Sequence, residues 1–124
     1  MIGTVLVALI AALHGYILVL EMFWWQRPRT RAIFATTPEF AAQSRVMAAN
    51  QGLYNGFLAA GLIWALWLGL PGSDQALAGR AVALFCLACV AVAGMFGAAT
   101  VGLRILFVQT VPASLAMAAV FFAV

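Results

Sequence analysis

Lysine is absent from this chain, acids are scarce, and polar residues of any kind are too few to cover a water-facing surface. Of 124 residues only 7% are charged, six arginines against Glu21, Glu39 and Asp74, while 67% are hydrophobic. Such a balance excludes an ordinary soluble domain and predicts a chain whose solvent is lipid. The net charge of +3 comes without a soluble basic face to lay along a phosphate backbone, so nucleic acid is excluded as a partner. One histidine and two cysteines are also too few for a metal centre. Cys86 and Cys89 form a CxxC within an apolar run, where His14 could add a third ligand but no fourth is evident. Cysteines at i and i+3 of one helix are badly placed for a disulfide, and a thiol in lipid behaves as a small hydrophobe. The sequence therefore predicts no metal and identifies no cofactor.

What is present in abundance is long apolar sequence. A helix needs ~20 apolar residues to cross the ~30 Å hydrocarbon layer, and four such runs can be laid down at about residues 3–23, 47–70, 75–100 and 105–124. These runs are apolar all round and rich in Ala, Leu and Gly, without the alternation of a membrane barrel strand. The predicted fold is therefore all-α, an integral membrane four-helix bundle forming a single domain over 1–124, with helices at about 3–23, 38–70, 75–100 and 105–124. The second helix is longer than its span because Thr37-Pro38-Glu39 is a helix start: a capping hydroxyl, a proline at the first turn and an acid at the positive end of the dipole. Nothing interrupts it before Leu70-Pro71-Gly72, so its first turns, with Glu39, Gln43 and Arg45, should reach the headgroups. Ser73 or Asp74 is expected to cap the third helix, and Pro112 to kink the fourth. The first run lacks the basic leader of a secretion signal and is read as a retained helix.

Orientation follows from the arginines. Arg27, Arg29, Arg31 and Arg45 lie in the first connection and Arg104 in the third, whereas Arg80 near the second is offset by Asp74. The positive-inside rule places the first and third connections in the cytoplasm and both termini on the outer side. Membrane lipid is thus a partner, held partly by the arginines. Trp24 and Trp25 read as interfacial anchors, as do Trp64 and Trp67 at the other side.

The polar residues inside the spans concentrate at one depth. His14 and Glu21 are two turns apart and share one face of the first helix, while Asn50, Gln51, Tyr54 and Asn55 cover an arc of about 140° on the second. Counted from the cytoplasmic ends, His14 and Asn55 both fall ~12 Å deep, Glu21 falls level with Asn50 and Gln51, and Gln109 and Thr100 enter the same half. A polar pocket there predicts binding or transformation of an amphipathic small molecule or lipid. His14 would be the catalytic acid or base with Glu21 tuning it, and Arg45, Asn50, Gln51, Tyr54, Asn55 and Gln109 would bind the ligand. The alternative is a non-enzymatic structural or accessory protein whose polar cluster only specifies helix packing. A proton relay through His14 and Glu21 is a third reading, with little room for a path in four helices. Whether the chain is an enzyme stays open. Gly52 and Gly56 make a GxxxG, and Gly94, Gly97 and Ala98 a second small-residue face, for close packing within or between protomers; a homo-oligomer, and a trimer among those, is expected.

The string from His14 to Trp25 with Glu21-Met22-Phe23, the string Asn50-Gln51-Gly52-Leu53-Tyr54-Asn55-Gly56-Phe57-Leu58-Ala59, and Gln109 with Pro112-Ala113 resemble the small bacterial membrane proteins grouped as domain of unknown function 1304. The resemblance covers nearly the whole chain and implies four helices and a bacterial inner membrane, but no activity. A fainter likeness is to the MAPEG superfamily of microsomal glutathione transferases and eicosanoid enzymes. That likeness implies four helices, three copies and a cytoplasmic first loop, with Arg45 and Asn50 at a similar spacing; the MAPEG pattern has a Glu where this chain has Leu53.

Overall fold

The structure is a computed structural model that describes residues 1–70 and 76–124. The expected turn at Pro71-Gly72 and the caps Ser73 and Asp74 lie outside the described residues. Helix accounts for nearly all the rest, and there is no strand among the described residues. Among the described residues six α-helices follow in order: α1 Ile2–Met22, α2 Pro28–Phe34, α3 Pro38–Gln43, α4 Arg45–Leu68, α5 Ala76–Thr100 and α6 Val111–Phe121, the last preceded by a π-helical segment, Leu106–Thr110. Two of them, α1 and α5, are long and apolar enough to cross a membrane. The chain forms two compact units, one of Met1–Ala11 with Ala60–Val124 and one of Ala12–Ala59.

In the first unit, α5 packs on α6 and on the π-helical segment, over a core that includes Val7, Leu62, Leu87, Val90, Ala113, Ala116 and Val120. Small residues set these contacts. A methyl group at Gly94 would strike Thr110 and Gln109, and one at Gly97 would meet Ile105 Cγ2 at 3.0 Å. Gly79 is tighter still: a Cβ there would run into the carbonyl oxygen of Gly69, with Ala65 O at 2.8 Å. Gly69 itself follows the end of α4 with φ 95°, a conformation that glycine adopts without strain. Arg80 donates from Nη2 to the Phe121 carbonyl at 2.6 Å and stands over the Phe121 ring. The Gly3 amide donates to the Val124 carbonyl at 2.8 Å, so residues near the two ends are bonded to each other.

The fourth predicted helix is present, but Pro112 changes its form. Proline has no N–H to donate, and the chain responds just upstream by widening one turn, with Val111 N–H reaching Leu106 O. Thr110 Oγ1 then donates to the Ala91 carbonyl of α5 at 3.1 Å.

The second unit departs further from the sequence expectation. The helix predicted to run unbroken over 38–70 is divided at Ser44, whose φ −91° and ψ 5° end α3. The reason is local competition for hydrogen bonds: Ser44 Oγ donates to Phe40 O at 2.7 Å and accepts Trp25 Nε1 at 3.1 Å. The start at Thr37 is as predicted, its hydroxyl accepting Phe40 N–H at 3.2 Å. An additional helix, α2, lies in what the sequence offered only as a basic connection. Pro28 supplies its first turn, and Ala35 at φ 51° closes it with its amide on Arg31 O.

Candidate functional site

α1 and α4 run antiparallel in the second unit, and glycine brings their backbones together. A Cβ on Gly52 would lie 2.7 Å from Met22 Cγ, 3.0 Å from Glu21 Cβ and 3.1 Å from Met22 N, and one on Gly56 would strike Leu18 Cδ1. The GxxxG face is thus used within the chain. With the helices this close, Asn55 Nδ2 donates to Glu21 Oε2 at 2.9 Å and to its own helix at Gln51 O at 3.0 Å.

This register is close to the sequence-based one at Glu21 and adds a pairing that the count did not make. Depth counting placed Asn55 level with His14 and Glu21 level with Asn50 and Gln51; Glu21 lies against Gly52, the residue after Gln51, and its carboxylate reaches along α4 to Asn55. Close approach at Gly52 and Gly56 fixes the register, which a count from assumed helix ends cannot capture. His14 is buried, with 1% exposure. Asn50, Gln51 and Tyr54 are exposed on α4, with the Tyr54 ring edge-on to Phe57 at 6.1 Å. Arg45 lines a cavity of about 180 Å3 together with Met22, Phe23, Trp25 and Gln26. Gln109 belongs to the first unit, in the π-helical segment against Gly94. Of the expected cluster, therefore, Glu21 and Asn55 are brought together directly.

A larger cavity, of about 520 Å3, forms where the chain leaves α1 and enters α2. Tyr16, Leu20 and Trp24 supply an apolar and aromatic wall, Thr30 lies in the same lining, and Arg27 and Arg29 bring two guanidinium groups. Arg27 is stacked over the Trp24 ring at 4.5 Å, an arrangement that holds the cation by its attraction to the π face. Two backbone features make the site. The end of α1 is closed by Phe23 and Trp24 amides that both donate to Val19 O at 3.1 Å, and Arg27 N–H returns to Trp24 O at 3.0 Å, which turns the chain sharply. Trp25, by contrast, points to the α3–α4 junction through Ser44 and stacks edge-on with Phe34 at 5.0 Å, so it clamps the unit together. Arg31 is engaged from Nε with Gln26 O at 3.3 Å. Sequence reasoning passed over this cavity, although the alternation Arg27-Pro28-Arg29-Thr30-Arg31, one residue after two tryptophans, was a visible signal.

Cys86 is buried and Cys89 partly so, both as free thiols; the space beside Cys86 is provided by Gly61, where a Cβ would lie 2.6 Å from the sulfur. No curated protein and no solved structure matches the chain. The paired Glu21 and Asn55, the Gly52–Gly56 contact and the arginine-lined cavity all fall within residues 8–121, the stretch that matches the family described as protein of unknown function (DUF1304), and the chain belongs to that family.

Proposed function

We propose that this chain is a multi-pass membrane protein that binds an amphipathic small molecule or lipid where α1 gives way to the arginine-bearing segment. The observation that carries this reading is the cavity of about 520 Å3, which joins an apolar wall of Tyr16, Leu20 and Trp24 to the guanidinium groups of Arg27 and Arg29. Its size lies in the range of small-molecule pockets, and its two chemistries suit a ligand with a tail and a polar head. The membrane setting is supported by the surface of the helices. The most apolar windows of α1 and α5 are only 28% buried, and Phe85 and Phe96 of α5 are each 70% exposed. A core helix of a soluble protein would hide such side chains. The preferred arrangement has four crossings, formed by α1, α4, α5 and the final helix, with the arginine-rich connection in the cytoplasm of a bacterial inner membrane and the termini in the periplasm. In that arrangement the cavity opens at the cytoplasmic headgroup level.

A second reading is favoured by a different observation. Glu21 and Asn55 sit beside the Gly52 contact, as expected of a polar pair that fixes how two helices pack. We assign Glu21 and Asn55 to that packing role and the ligand to the arginine-lined cavity, so the two readings concern different residues. Native mass spectrometry of gently extracted protein tests the binding role: a small molecule or lipid should be retained by the wild type and lost on Trp24→Ala. Retention that ignores this change would refute the assignment of the cavity.

A further inference from the structure

We infer that the cavity of Tyr16, Leu20, Trp24, Arg27, Arg29 and Thr30 is a phosphate-headgroup site, in which two guanidinium groups grip a phosphate ester while its apolar remainder lies along α1. The inference rests on the amphiphile-binding reading above and names the head that the ligand must carry.

Three observations point to an anion and to phosphate in particular. The lining contains two arginines and no acid, and among the described residues neither arginine is paired with a carboxylate, so their charges are uncompensated within the site. Arginine also presents a planar fork of donors that engages two oxygens of a phosphate at once, and two forks can satisfy a tetrahedral group that has several oxygens to share. Finally, Arg27 is set in place over Trp24 at 4.5 Å, which lowers the side-chain entropy lost when the anion binds. Arg31, the neighbour of the same charge, already spends its Nε on the Gln26 carbonyl and is not in the lining. The wall of Tyr16, Leu20 and Trp24 continues down the body of α1, whose apolar surface offers an acyl chain a place to lie. A choline headgroup would bring its own cation toward the guanidiniums, so anionic phosphate esters are selected over zwitterionic ones.

The phosphate could belong to a membrane lipid or to a soluble phosphate ester, and the experiment separates them. The full chain, in mild detergent, is titrated in native mass spectrometry with phosphatidylglycerol, phosphatidate, phosphatidylcholine and diacylglycerol of identical acyl chains, and separately with inorganic phosphate. The expected result is that the two anionic lipids bind at least tenfold more tightly than phosphatidylcholine and diacylglycerol. Arg27→Gln with Arg29→Gln should remove this preference, and Arg31→Gln should keep it. Should the double variant fold poorly, Arg27→Lys with Arg29→Lys keeps the charge and is expected to weaken the anionic lipids severalfold through loss of the fork geometry. Inorganic phosphate that binds as tightly as the lipids would keep the phosphate site and assign it a soluble ligand. Equal binding of all four lipids, or a preference that survives both double variants, overturns the headgroup inference while leaving the amphiphile reading in place. Loss of every lipid from the wild type, with no binding of phosphate, defeats both.

Discussion

Replacement of Gly52 by alanine should loosen the α1–α4 pair, and the structure gives the size of the effect. The new methyl would lie 2.7 Å from Met22 Cγ, which can swing aside, but also 3.0 Å from Glu21 Cβ and 3.1 Å from Met22 N, which move only with α1 itself. Since carbon atoms pack best at about 3.5–4.0 Å, α1 must withdraw by roughly half an ångström. Overpacking of this kind costs about 1–3 kcal/mol, while alanine in place of glycine within a helix returns about 1 kcal/mol. The same withdrawal stretches the Asn55–Glu21 bond from 2.9 Å past good geometry, and an interhelical hydrogen bond in a membrane contributes about 0.6 kcal/mol. The expected net loss is ~1–2 kcal/mol. Gly56→Ala is the matched control, because its methyl meets only the side chain of Leu18, so its strain is relieved by a rotamer change and the net effect should be near zero. Both variants are measured by reversible unfolding in mixed micelles beside the wild type. Equal stability of the two, or a Gly52→Ala protein as stable as the wild type, would refute the argument that backbone contact at Gly52 sets the register. A further check is Asn55→Ala in the Gly52→Ala background, which should cost less than in the wild type because the bond is already stretched.

Gly79→Ala should be the harsher change, with a loss of at least ~2 kcal/mol in the same unfolding assay, since its methyl meets backbone oxygens of Gly69 and Ala65 that have no rotamer to adopt. Asn55→Leu alone should destabilise by ~1 kcal/mol because it leaves Glu21 without its side-chain partner. Adding Glu21→Leu should recover most of that loss, and a double variant worse than the single one would contradict the packing role. Reporter fusions to the carboxy terminus should be active only when the reporter works in the periplasm; the opposite pattern would invert the orientation derived from Arg27, Arg29, Arg31 and Arg45. Native mass spectrometry should give the mass of a trimer, and a monomer at every detergent ratio would remove the oligomer. The faces available for that contact exclude Gly52 and Gly56, already filled by α1, and Gly94, already filled by Thr110 and Gln109.

The two helices best seen in the sequence, α1 and α5, are those whose runs are long and apolar enough to cross a membrane. The start of α3 was equally legible, since Thr37, Pro38 and Glu39 each carry a local signal that does not depend on the rest of the fold. The division at Ser44 was not legible, because it depends on an indole nitrogen that arrives from Trp25, 19 residues earlier. α2 escaped notice because seven residues with two arginines show no helical stripe. Glu21 and Asn55 were both recognisable as polar residues set in apolar runs, yet their direct hydrogen bond could not be counted from helix ends. It is set by where two glycines allow the backbones to meet. The arginine-lined cavity was missed for a related reason: its lining falls within the one stretch from Tyr16 to Thr30, but it becomes concave only through the sharp turn between Trp24 and Arg27.

The hydrogen bond from Gly3 to Val124 has a topological consequence. Two residues joined at 2.8 Å lie on the same side of any bilayer the chain spans, so the number of crossings between them must be even. Three crossings are thereby forbidden. If α1, α5 and the final helix all traverse the lipid, parity requires α4 to do so too, and its Asn50, Gln51 and Asn55 are then carried into or along the membrane by that rule alone.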